Sequence, residues 1–223
     1  MKKQINLLLS ITFFVCFVVW TILVKNVDVA SIGPNGSLVG LSSLNNVFVS
    51  LIGNTLDGSR SLFYDLTEVL FFLPILGAVF FVVLAIIQLI QRKSLLKVDK
   101  PLINLGIFFI LVIGFYIFFE CVIINYRPML IDGELEASYP SSHTFITLFM
   151  GLSYIYLTSY YLHNNKTLKI ILISIIGVLG GVIILGRILS GVHYMSDIIG
   201  GILLGLGLYF AYAQSLNNIR VKN

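Results

Sequence analysis

Five ionisable side chains in this sequence interrupt or border long apolar runs, and their types suit one kind of chemistry. Arg127 closes one apolar run, His143 opens the next, and Arg187, His193 and Asp197 span the junction of two more. Ionisable groups at membrane depth are costly, so they mark functional sites. His193 and Asp197 are four residues apart and on a helix would share a face. A carboxylate holding one imidazole nitrogen leaves the other free and basic, as a histidine nucleophile or base requires. Two arginines supply fork-shaped donors matched to phosphate oxygens. Ser141 and Ser142, in the stretch YPSSHT, stand where a helix N-cap belongs. The first turn beyond them offers free backbone N–H groups to an anion. His143, in that turn, is placed to protonate a leaving oxygen. The parts add up to phosphoryl transfer through a phosphohistidine, with no metal and no cofactor required.

The elements that must position these groups follow from composition. The chain has 223 residues, 58% hydrophobic and 11% charged, with mean hydropathy +1.00. A soluble domain of that size needs more polar surface. Apolar runs of roughly 20 residues recur, each long enough to cross a bilayer core. Such uninterrupted runs exclude a membrane β-barrel, whose strands alternate. The expected fold is all-α: a bundle of six transmembrane helices over residues 5–24, 66–90, 102–124, 142–162, 168–189 and 195–213, forming a single integral membrane domain over residues 1–223. The amino-terminal run is too long for a signal peptide and no clean cleavage site follows it, so it reads as an anchor. Between spans one and two, Leu44, Val47, Phe48, Leu51 and Ile52 share one helical face, which predicts a short interfacial helix with Asn45 and Asn46 off that face. The stretch DGSR at 57–60 reads as a turn, and Pro74 with Gly77 predicts a kink in span two. Gly177-xxx-Gly181 and Gly201-xxx-Gly205 predict a tight hairpin of spans five and six.

Basic residues set the orientation. With the amino terminus cytoplasmic, Lys2, Lys3, Arg92, Lys93, Lys97, Lys100, Lys166, Lys169, Arg220 and Lys222 lie inside; Lys25, Arg60, Arg127 and Arg187 lie outside. The active site then faces out and both termini face the cytoplasm. Nucleic acid is excluded as a partner, because the net charge of +4 is spread over segment ends rather than gathered with aromatics. The partners expected are the lipid bilayer and a membrane lipid phosphate. Nothing in the sequence sets an oligomeric state. His163 reads as a loop residue, Cys16 and Cys121 as packing residues, and Asp132, Glu134 and Glu136 as a solvated lid edge.

The three polar stretches resemble the signature of the type 2 phosphatidic acid phosphatase family of membrane lipid phosphatases. That signature has Lys, then Arg-Pro seven residues on; Pro-Ser-Gly-His; and Ser-Arg, five residues, His, three residues, Asp. The chain matches it at Arg127-Pro128, at Pro140, Ser141 and His143, and at Arg187, His193 and Asp197. Ser142 stands where Gly is usual, and Gly186 where Ser is usual. The resemblance implies His193 as nucleophile, Asp197 as its orienting partner and His143 as general acid. It implies Arg127, Arg187 and Ser141 as holders of the phosphoryl oxygens, with Ser142 beside them. The one sharp departure is Glu120, at the position of the family's Lys. Glu120 is seven residues before Arg127, so it can lie on the same helical face and orient that arginine, or select a head group of lower negative charge. The expected substrate is undecaprenyl diphosphate, with phosphatidylglycerophosphate and phosphatidic acid as alternatives. A lipid phosphotransferase or a non-catalytic lipid transporter on the same scaffold stays open.

Overall fold

A computed structural model describes residues 2–52 and 62–217. Among these lie seven α-helices: α1 Lys2–Asn26, α2 Ser42–Ile52, α3 Leu62–Arg92, α4 Lys100–Cys121, α5 Ser142–Tyr161, α6 Lys166–Leu189 and α7 Met195–Ser215. The described residues form no strand, only isolated β-bridges. The all-α expectation holds. The DGSR turn, Arg60, Arg220 and Lys222 lie outside the described residues.

Local chemistry sets several ends. Pro101 sits in the first turn of α4, where a missing N–H costs nothing. The Asn165 side chain caps α6 by accepting the Leu168 N–H at 3.0 Å. α3 runs as one helix through Pro74, whose carbonyl accepts the Tyr154 hydroxyl at 2.7 Å.

Five helices, α1, α3, α4, α6 and α7, are long and apolar enough to cross a membrane, as in a multi-pass membrane protein. α5 is the exception because its polar residues are turned inward: Thr144, Thr147, Ser153, Tyr154 and Thr158 are all buried. Its neighbours on both sides explain this. α5 packs against α7 and α6, while α7 packs against α1 and α6 against α3.

The predicted hairpin of spans five and six is corrected. A Cβ at Gly201 or Gly205 would come within 2.9 Å of the Ser141 or Phe145 carbonyl oxygen, so these glycines admit α5. Gly177 and Gly181 face open space, and Val178 beside them is exposed. The spacing was right for close approach but could not say which helix approaches. In α2 the exposed face carries Leu44, Val47 and Leu51, and the buried face carries Ser42, Asn45 and Phe48. Cys16 and Cys121 are free and exposed rather than packed.

Candidate active site

The motif residues meet at one end of the bundle, where α4 and α6 finish and α5 and α7 begin. α6 ends at Leu189, and Gly191 at φ 72° turns the chain back in a conformation that favours glycine. His193 lies in that turn, one residue before the Tyr194 N-cap, and is 2% exposed. Asp197 is the third residue of α7 and completely buried. One carboxylate oxygen accepts the Tyr194 N–H at 3.0 Å and faces His193 Nδ1 at 3.8 Å. The pair is therefore built by a helix cap rather than by a shared helical face. The other oxygen accepts from Asn125 Nδ2 and Ser196 Oγ, each at 3.4 Å.

These partners are themselves fixed. Asn45 Oδ1 accepts the Ser196 N–H at 3.1 Å, and its amide donates to the Gly40 carbonyl at 2.8 Å. Asn125 Oδ1 accepts the Gly40 N–H at 3.1 Å. Trp20 of α1 donates to the Ser196 carbonyl at 2.9 Å. The short helix α2 thus serves the site through Asn45, a residue expected off its apolar face.

Burial pushes the His193 imidazole well below the usual histidine range, and the Arg127 and Arg187 cations and His143 add to that effect. Its side chain is thus held neutral. A neutral imidazole with Nδ1 turned to a carboxylate has Nε2 available as a nucleophile.

Arg127 sits on the excursion between α4 and α5, whose two arms bridge at Tyr126 and Ala137. Its backbone N–H donates to the Glu136 carbonyl at 3.0 Å, and its Nε lies 3.0 Å from Glu136 Oε2. Glu136, expected on a solvated lid, is instead the carboxylate that holds a site arginine. Glu120 is exposed at the end of α4 and lines a small pocket with Arg127, Ser142, His193, Tyr116 and Ser138. Ser142 faces that pocket. Ser141 is fully buried: its N–H donates to the Asp197 carbonyl at 3.0 Å and its Oγ accepts from Thr144 at 2.9 Å.

Arg187 is completely buried, and α3 organises it. Its Nη1 donates to Glu68 Oε1 at 2.9 Å and to Thr67 Oγ1 at 3.3 Å, and its guanidinium lies 5.2 Å from the Tyr64 ring centroid. Gly186 permits this contact, since a Cβ there would be 2.4 Å from Thr67 Cγ2. The same Glu68 oxygen is 3.4 Å from His143 Nε2, and Phe71 covers the His143 ring at 4.0 Å between centroids. Sequence reasoning missed Glu68, Glu136 and Asn125. For Glu68 a signal existed: it is a carboxylate inside a predicted span.

The donors that remain unfilled matter most. Arg187 Nε and Nη2, and Arg127 Nη1, are buried with no hydrogen-bond partner. Buried guanidinium N–H groups left empty are costly, and an oxyanion is the ligand that fills them. Among the described residues, no group of three or more His, Cys, Asp or Glu side chains is set to hold a metal ion.

Comparison with known proteins agrees with this arrangement. Residues 121–220, which carry all three motifs, match the family model of the PAP2 superfamily. The likeness to that superfamily covers the excursion before α5 and the helices α5, α6 and α7. Among solved structures, the chain is similar to a transmembrane PAP2-type phosphatidylglycerolphosphate phosphatase from Bacillus subtilis. The two are 20% identical over 96% of this chain and 99% of that one, with a TM-score of 0.60, a likeness of fold. No curated protein matches the chain.

Proposed function

We propose that this chain is a lipid phosphate phosphatase that needs no metal and works through a phosphohistidine at His193. The observation that carries the reading is the set of buried, unfilled guanidinium donors of Arg127 and Arg187 beside the buried His193. In the first step His193 Nε2 attacks phosphorus, the bond from phosphorus to the lipid oxygen breaks, and His143 gives that oxygen a proton. Arg127, Arg187 and the first turn of α5 at Ser141 and Ser142 hold the phosphoryl oxygens. Asp197 keeps His193 oriented and balances the charge it acquires. In the second step water attacks the phosphohistidine, its proton returns to His143, and phosphate leaves.

In this reading α5 is a sixth span, α2 lies in the interface with Leu44, Val47 and Leu51 toward lipid, and the chain is one membrane domain. The basic residues at the opposite end of the bundle support an inward-facing pair of termini and an outward-facing site. Free phosphate as product separates this enzyme from a phosphotransferase, and dependence on His193 separates it from a transporter.

For the substrate, a terminal phosphate monoester such as that of phosphatidylglycerophosphate fits best. Glu120 lines the pocket, and Arg127 and Arg187 each already face a carboxylate, which leaves little cation surplus for a diphosphate. The second reading, undecaprenyl diphosphate, is favoured by apolar space between α3 and α4. Two apolar hollows lie there, one lined by Phe71, Ile75 and Tyr116 and the other by Phe81, Leu89 and Leu102, and an isoprenoid tail is an apolar chain suited to such walls.

The test is phosphate release by the detergent-purified chain in EDTA. The panel is phosphatidylglycerophosphate, phosphatidic acid and undecaprenyl diphosphate, with His193→Ala as control. Release that survives EDTA and is lost in the variant is expected. Release that His193→Ala leaves intact would remove the phosphohistidine.

A further inference from the structure

We propose that Glu68 of α3 is a positioning residue of this site, holding His143 as the proton donor to the leaving oxygen. The inference rests on the phosphatase reading above and adds to it a residue outside all three motifs.

A buried arginine needs a counter-charge, and a carboxylate that only neutralised Arg187 would be unremarkable. The geometry points further. The oxygen that accepts from Arg187 at 2.9 Å is the same one that lies 3.4 Å from His143 Nε2. Phe71, three residues on and so on the same face of α3, lies against the imidazole with centroids 4.0 Å apart. α3 therefore constrains the His143 ring from its face through Phe71 and from its edge through Glu68. No other carboxylate pairs with His143 among the described residues. The site then holds two histidine–carboxylate pairs: His193 with Asp197 at 3.8 Å, and His143 with Glu68 at 3.4 Å. Both contacts are longer than a good hydrogen bond, as catalytic contacts often are before substrate binds.

The two pairs have different exposure. Asp197 is wholly buried, whereas the Glu68 side chain is 40% exposed. A nucleophile that must stay neutral is served by an enclosed carboxylate. A proton donor that is charged and recharged each turnover is served by one nearer solvent. When His143 gives its proton to the lipid oxygen it becomes neutral, and when it takes the proton of the attacking water it becomes cationic again. Glu68 stabilises the cationic form and holds the ring for both transfers.

The experiment compares two substrates that differ in how far their leaving group needs a proton. One is phosphatidylglycerophosphate, which leaves an alkoxide. The other is a 4-alkyl-2-nitrophenyl phosphate, which keeps an apolar tail but leaves a stable phenolate. Glu68→Gln keeps a carbonyl oxygen for Arg187 and removes the negative charge. The variant is expected to lose activity on the alkyl ester on the order of 10²-fold, the scale of general acid catalysis, with the aryl ester changed by less than about threefold. The ratio of the two rates in one preparation is independent of the folded fraction. An equal loss on both esters would reduce Glu68 to a counter-ion of Arg187 and overturn the proposal, as would no loss on either. If the unsubstituted chain hydrolyses neither ester, the phosphatase reading fails first. If it hydrolyses both, depends on His193, and shows an unchanged ratio in Glu68→Gln, only the role of Glu68 fails.

Discussion

Two polar clusters sit at opposite ends of this apolar bundle, and one is closed while the other is open. At the end away from the site, Asp99 accepts from Arg92 Nη1 at 2.8 Å, Gln88 Nε2 at 2.9 Å and the Tyr161 hydroxyl at 3.0 Å. Gln88 returns the contact by accepting the Asp99 N–H at 2.9 Å. This cluster ties the end of α3 to the start of α4 and the end of α5. At the other end, Arg127 and Arg187 keep buried N–H groups without partners. Both clusters contain an arginine, carboxylates and uncharged polar groups, so composition does not tell them apart. Satisfaction does. A network that uses its donors internally stabilises the scaffold, whereas one that leaves them empty is waiting for an anion.

The largest effect expected from this contrast is at Asp197. Asn in its place keeps an acceptor for the Tyr194 N–H and nearly the same shape, but it loses the charge that faces His193. Turnover should fall on the order of 10⁴-fold, as it does when a catalytic histidine base loses its orienting carboxylate to the same substitution. The melting temperature in detergent should move little. A collapse of stability with activity per folded molecule retained would mean that the open cluster is scaffold after all.

Asp99→Ala should do the reverse. It removes the acceptor of Gln88 Nε2 and the Tyr161 hydroxyl, at a cost of about 1–3 kcal/mol for those part-buried groups. The expected result is a clear drop in melting temperature with phosphate release per folded molecule unchanged. Lost turnover at unchanged stability would assign the closed cluster a function and break the comparison.

How much of this was legible in the sequence depends on whether the signal is local. The membrane-length helices were, because each is a long apolar run, and so was the gathering of Arg127, His143, Arg187, His193 and Asp197, because they fall at the adjoining ends of those runs. α5 reads as less apolar than its neighbours because Thr147, Ser153 and Tyr154 face the interior, a fact about packing that hydropathy cannot register. Which helix fills the groove at Gly201 and Gly205 was hidden for the same reason. The carboxylates Glu68 and Glu136 escaped because their partners come from distant segments or from the far arm of a loop. Glu68 is 119 residues from Arg187 along the chain. Glu120 drew attention by departing from the family's Lys, yet Glu136 is the residue 3.0 Å from Arg127.

The smallest effect sharpens the comparison at His193. In the closed cluster the Arg92 cation is neutralised by Asp99 at 2.8 Å. In the open cluster His193 is buried among the Arg127 and Arg187 cations, beside His143, with Asp197 at 3.8 Å as its nearest anion. Burial and these cations oppose a further positive charge, so the proton affinity of His193 is depressed and its neutral form persists as pH falls. An ordinary histidine, titrating near 6.5, would be about 90% protonated at pH 5.5 and its nucleophilic fraction would fall roughly tenfold from pH 7.5. Formation of the phosphoryl-enzyme, followed as acid-labile phosphate trapped on the protein, should fall by much less over that range. Histidine-labelled protein gives a direct check, because the chain has only three histidines and His193→Ala assigns the resonance. A His193 signal that titrates at or above 6.5 would mean that Asp197 outweighs burial and the two arginines. The open cluster would then be electrostatically as balanced as the closed one, and its empty donors alone would distinguish it.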